Sequence, residues 1–150
     1  MTLLETIRTI ERVASLQPAI NMIVRNDVFR LSAVPDARYG VFAWLQNQHI
    51  SNVASSLITY SFTFFYVDRL TEDLSNQVEI QSVGIQTLDN IIRTLEELGV
   101  SAENDYTFQA FNQRFADECA GVFCNVTLSV PKDIICADTF DDIDDNVMIY

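Results

Sequence analysis

The sequence predicts an α+β fold: one mostly antiparallel sheet, with an N-terminal helix and one long helix packed on one of its faces. Three observations carry that prediction. Residues 57–70, LITYSFTFFYVDRL, alternate large apolar groups (Ile58, Tyr60, Phe62, Phe64, Tyr66) with small hydroxyls (Thr59, Ser61, Thr63), the period of two of a half-buried strand. Residues 122–130 repeat the pattern, with Val122, Cys124, Val126, Leu128 and Val130 on one parity and Asn125, Thr127 and Ser129 on the other. Between the two lies a long stretch of helical periodicity, so strands come in runs and not in βαβ alternation.

At the N-terminal side, Leu3, Leu4, Ile7, Ile10, Val13, Ala14 and Leu16 fall mostly at spacings of three and four. Thr2 and Glu5 form a capping-box pattern, and Pro18 closes an amphipathic helix over 2–16. Residues 19–38 are less regular, with a short strand expected at Val28–Leu31 and a turn at Pro35–Asp36. The stretch YGVFAWLQNQHI, residues 39–50, reads as a strand, and a polar turn near Ser51 and Asn52 makes 57–70 its hairpin partner. Asp68 and Thr71 offer caps to the next helix, and Glu72 and Asp73 suit its positive end. Leu74, Val78, Gln81, Ile85, Leu88, Ile92 and Leu95 follow a four-three alternation, Ile80, Val83 and Ile91 add a second stripe, and Gly99 supplies the stop. Such a helix would run about 40 Å across the sheet. Residues 105–131 then read as two strands ended by Pro131. One domain over 1–135 and an acidic arm over 136–150 complete the organisation; the arm turns apolar in its last four residues, which suggests a docking segment.

With 49% hydrophobic residues in 150, the chain can bury a proper core without metals or disulfides. Three cysteines with no CxxC pair, and no secretory apolar run, fit a reducing cytosol, where Cys119, Cys124 and Cys136 act as small buried hydrophobes. No apolar run approaches the roughly 18 residues of a membrane span, so no membrane is expected as a partner. The formal charge is −12, with 21 acidic residues against nine basic ones; 16 of the acids and all nine bases lie in 1–135, leaving −7 there. Neutralising nucleic-acid phosphates needs a basic patch this chain cannot assemble. Acidity instead permits solubility, repulsion of passing DNA, or mimicry of DNA.

Motifs that carry chemistry are scarce. His49 is the lone histidine, in QNQHIS beside a turn; Cys119 and Cys124 are too widely spaced for a zinc knuckle; the arm's aspartates lack the glycine and glutamate of a calcium loop. Four glycines and no GxGxxG or GxxxxGK[ST] argue against a phosphate cradle, and Glu96–Glu97 and Asp117–Glu118 are adjacent pairs that do not face one another. The expectation is no catalytic, cofactor-binding or metal residues and no cofactor, hence no enzyme. Thr59, Ser61 and Thr63 are instead the candidate subunit interface, because a sheet face turned only to water usually carries charges.

Taken in order, RYGVFAWLQNQH, YSFTFFYVDRLTEDLSN, the long helix and FNQRFADECAGVFCNVTLSVP resemble the small neck and tail-completion proteins of tailed bacteriophages. The resemblance spans roughly residues 20–131, is most specific in FFYVDRL and RFADECAGVFCNV, and is greatest to the group in crAss-like phages and related prophages. It implies a tail-terminator-like element order and a virion protein of the neck, made in the host cytoplasm and joining head to tail. The implied partners are identical subunits in a ring of six or twelve, portal or adaptor and tail proteins, and genomic DNA passing through the lumen without specific binding. No catalytic motif comes with the family. Two alternatives stand beside it: an acidic DNA-mimic inhibitor, and a small-molecule-binding or enzymatic α+β domain.

Overall fold

The computed structural model describes residues 1–34, 36–54, 56–103 and 106–132, without the side chains of residues 49, 53 and 54. The acidic arm expected at 136–150, Pro35 of the expected turn and the His49 side chain lie outside that description. Helix α1 (Leu3–Ser15) begins where the capping box places it: Glu5 N donates to Thr2 Oγ1 at 3.1 Å and Thr2 N to Glu5 Oε2 at 2.7 Å. It is followed by strand β1 (Met22–Arg25), a 3₁₀ helix (Val28–Ala33), the long hairpin β2 (Val41–Ala54) and β3 (Leu57–Arg69), and helix α2 (Gln77–Glu97). The short β4 (Ser101–Ala102), β5 (Phe108–Arg114) and β6 (Glu118–Pro131) complete the order.

The sheet has six strands in the order β1-β2-β3-β6-β4, with β5 also paired to β6. Only β1–β2 is parallel; the other pairings are antiparallel. The α+β class with helices α1 and α2 on one face is therefore observed. β3 and β6 pair without a shift from Leu57↔Pro131 to Arg69↔Cys119, and the shared register puts both apolar parities on the same side. Phe62, Phe64, Val126 and Leu128 are buried there with Leu88 and Ile92 of α2, and Phe64 meets Phe42 edge-on at 5.4 Å. Helix and sheet approach closely at Gly84, where a Cβ would sit 2.6 Å from Val122 Cγ2 and 2.8 Å from Tyr66 Cδ1. A larger residue would lift the helix off the sheet.

Several local expectations need correction. Val28–Leu31 is not a strand but part of the 3₁₀ helix, whose N-cap Asp27 accepts from Phe29 N at 2.9 Å. β2 runs on through Ser51 and Asn52 to Ala54, absorbing register shifts between Asn47 and Ile50 and between Asn52 and Ala54, so the turn lies further on. The expected caps Asp68 and Thr71 do not cap α2. Thr71 Oγ1 donates to Asp73 Oδ1 at 2.7 Å inside a separate turn, and the helix starts only at Gln77. The seam of α2 also differs: Ile80, Gly84, Leu88, Ile91 and Leu95 face the core, while Leu74, Val78 and Ile85 are exposed.

The corrected seam yields a paired test of core position. Phe64→Ala is expected to lower unfolding free energy by about 3 to 5 kcal/mol, as for a fully buried aromatic, whereas Ile85→Ala should change it by less than about 1 kcal/mol. Urea titrations of both variants check this; a larger loss at Ile85 would contradict the seam.

Candidate interaction surface

The face of the sheet turned away from the helices divides in two. Odd-numbered positions of β3 and β6 point there together with Val41, Ala43 and Asn47 of β2, a consequence of the unshifted register. Its half nearest β1 is apolar and has its own cover. Val28 and Leu31 of the 3₁₀ helix, with Phe115, close over Val24, Val41, Ala43 and Val67 to make a second small core. Beside it Phe65, Phe111 and Phe123 pack in mutual contact at 5.7 to 6.3 Å between centroids, each half-buried. Gly121 makes this possible, because a Cβ there would press into Tyr66 O and lie 2.9 Å from the Phe111 ring.

The other half is the hydroxyl strip. Register sets Thr59 between Ser51 and Ser129, Ser61 between Asn47 and Thr127, and Thr63 between Leu45 and Asn125. Thr63 Oγ1 donates to Asn125 Oδ1 at 2.7 Å and Thr59 Oγ1 to Ser51 O at 3.0 Å, while Ser61 and Thr127 share a 3.5 Å hydroxyl contact. Thr59 and Thr63 are only 4% and 7% exposed within the single chain, and Ser61 is half-buried. Residues 19–38, a possible cover for the whole face, close only the apolar half. What remains open to a partner is Ser61 with Asn125, Thr127 and Ser129, none of them charged.

At the β1 end, Glu11 of α1 is a clamp that sequence periodicity does not reveal. Its carboxylate accepts from Arg25 Nε at 2.6 Å and from Trp44 Nε1 at 3.3 Å, tying α1, β1 and β2 together. The bond and charge of Glu11 hold the Arg25 pKa above its ordinary value. A second polar group joins the 3₁₀ region to β6. Tyr39 Oη donates to Asp117 Oδ2 at 2.8 Å and Arg69 Nη2 stands 3.7 Å from Asp117 Oδ1. Burial, then the Asp117 hydrogen bond, push the Tyr39 phenol well above its usual range.

Among the described residues no group of three His, Cys, Asp or Glu side chains is placed to hold a metal ion, and no helix is long and apolar enough to cross a membrane. No protein-family model matches the chain, and no curated protein is significantly similar to it. Residues that parity could have pointed to are Phe65, Phe111 and Phe123; their odd positions already assign them to the outer face.

The thiols give a prediction on pH. Burial lifts Cys119 to about 11 and Cys124 to about 12, against about 8.5 for an unfolded thiol. Above pH 8.5 the unfolded chain therefore binds fewer protons than the folded one, and stability falls as pH rises. It should be fully present below about pH 8.5 and decline towards pH 11 to 12. Urea midpoints from pH 7 to 9, below most tyrosine titration, should show the onset of the decline, and Cys124→Ala should flatten it.

Proposed function

We propose that this chain is a structural virion subunit that forms a ring at the portal–tail junction of a tailed bacteriophage, joining head and tail around the DNA channel. The observation that carries the reading is the hydroxyl strip: an uncharged patch of β3 and β6, Ser61 with Asn125, Thr127 and Ser129, that stays at least partly exposed among the described residues beside a half that the 3₁₀ helix covers. Sheets that meet only water normally protect such faces with charges. A ring subunit also needs a second, different surface, because heterologous contacts join unlike patches. The exposed apolar stripe Leu74, Val78 and Ile85 beside and along α2 lies on the helical side of the sheet and supplies one. The net charge of −12 suits a lumen through which DNA slides without counterion-release traps. The sequence resemblance supports the same assignment, with six or twelve copies and portal, adaptor and tail proteins as neighbours.

Thr63 is buried and hydrogen-bonded in the single chain, so a charge there would disturb the fold; Ser61 and Thr127 are better probes. Light scattering and negative-stain imaging should show closed rings of the purified protein, alone or on isolated portal. Ser61→Lys and Thr127→Lys, made separately, should keep the circular dichroism of the parent yet fail to enter rings, since each buries an unpaired charge once per subunit. A parent chain that never forms rings under either condition, or folded variants that assemble normally, would overturn the reading.

A further inference from the structure

We propose that the apolar end of the acidic arm, Val147–Tyr150, of one copy adds as a strand to the open edge of β1 in a second copy. This names one contact within the ring and rests on the ring reading for its occupant. β1 is an edge strand: β2 pairs one side of it, and among the described residues no strand pairs the other. A cavity of about 560 Å³ runs along that edge, floored by Met22–Arg25 and rimmed by Glu11, Arg30, Ala33 and Val34. An unpaired edge beside an apolar groove is the geometry of strand addition, in which backbone bonds give affinity and alternate side chains fill the groove.

Charge selects the occupant. Residues 1–38 hold five arginines against four carboxylates, a balance of +1, while residues 39–150 hold four cations against 17 carboxylates, a balance of −13. The groove lies wholly in the first group, with Arg25 70% exposed and Arg30 exposed at its rim. The stretch ADTFDDIDDNVMIY brings five aspartates and then, after Asn146, the β-prone run Val147, Met148, Ile149 and Tyr150, which pairs with β1 while the acids meet the arginines.

Reach favours a second copy. Lys132 lies at the hairpin end, where its N donates to Ser56 O. β1 lies at the opposite end, beside Val41–Trp44, three strand positions across from β6. The separation is about 36 Å, from ten residues along and three spacings across the sheet. Residues 133–145 extend to at most about 43 to 47 Å, so a chain would reach its own β1 only by running nearly straight across itself. A neighbour whose hairpin end abuts β1 has slack.

The test mixes two full-length variants. Groove variants Arg30→Glu and Ala33→Trp change exposed residues, and an arm variant carries Val147→Asp with Ile149→Asp. Light scattering should find each alone monomeric with parental circular dichroism, and a one-to-one mixture of groove and arm variants should give the mass of two chains, from one intact arm in one intact groove. Mixtures that stay monomeric overturn the proposal, and so does a parent chain that stays monomeric while the mixture pairs, since its arm then folds back on its own groove. Rings that persist in the arm variant overturn it while leaving the ring reading in place. Arm-dependent association that never closes into rings supports the arm contact and removes the ring reading.

Discussion

The structure depends on the unshifted pairing of β3 with β6. Because side chains alternate, a slip of one residue would turn Phe62, Phe64 and Tyr66 outward and bring Thr59, Ser61 and Thr63 under α2. The same register sets Gly121 opposite Val67, which leaves room for the Phe111 ring, and aligns Thr63 with Asn125, which satisfies its hydroxyl. Core, aromatic patch and hydroxyl strip are three consequences of one alignment. α2 reinforces it from the inner side, since Gly84 allows the helix to approach Tyr66 and Val122 closely enough to read both strands.

The two faces meet different fates. On the inner face α1 and α2 bury a continuous core, and on the outer face, among the described residues, 28–33 and Phe115 close half. Charge divides along a related line, with a near-neutral N-terminal region carrying the exposed β1 edge and a strongly acidic remainder. A molecule with unlike surfaces at its two sheet edges and unlike faces above and below is suited to head-to-tail contacts, whereas two-fold dimers need one self-complementary patch.

Parity and capping were legible in the sequence because they are local. The alternation in 57–70 and 122–130 fixed both strands and their inward faces, and Thr2 with Glu5 marked the start of α1. The seam of α2 was not legible in the same way. Counting large apolar groups favours Val78 and Ile85, while the contact uses Gly84, whose value is the absence of a side chain, and the polar but buried Thr87. Val28–Leu31 is a short apolar run that periodicity alone cannot assign, although Asp27 just before it is a helix-start signal. β1 depends on a parallel partner beginning at Val41, and nothing local announces that pairing. Of the candidate interface, the face was readable; the burial of Thr59 and Thr63 was not, because it depends on which residues the fold brings beside them.

In the proposed ring, the chemistry of the strip would suit a subunit that is soluble first and covered later. Small hydroxyls and amides that already bond one another, as Thr63 does with Asn125 and Thr59 with Ser51 O, lose few bonds to water when a partner arrives. An apolar strip would have promoted premature association, and a charged strip would have cost several kcal/mol per ion on burial. Mutually satisfied neutral polar groups avoid both penalties. Their contribution to affinity is correspondingly modest, so stable assembly would depend on the apolar contacts around the strip and on repetition of the contact around a closed assembly.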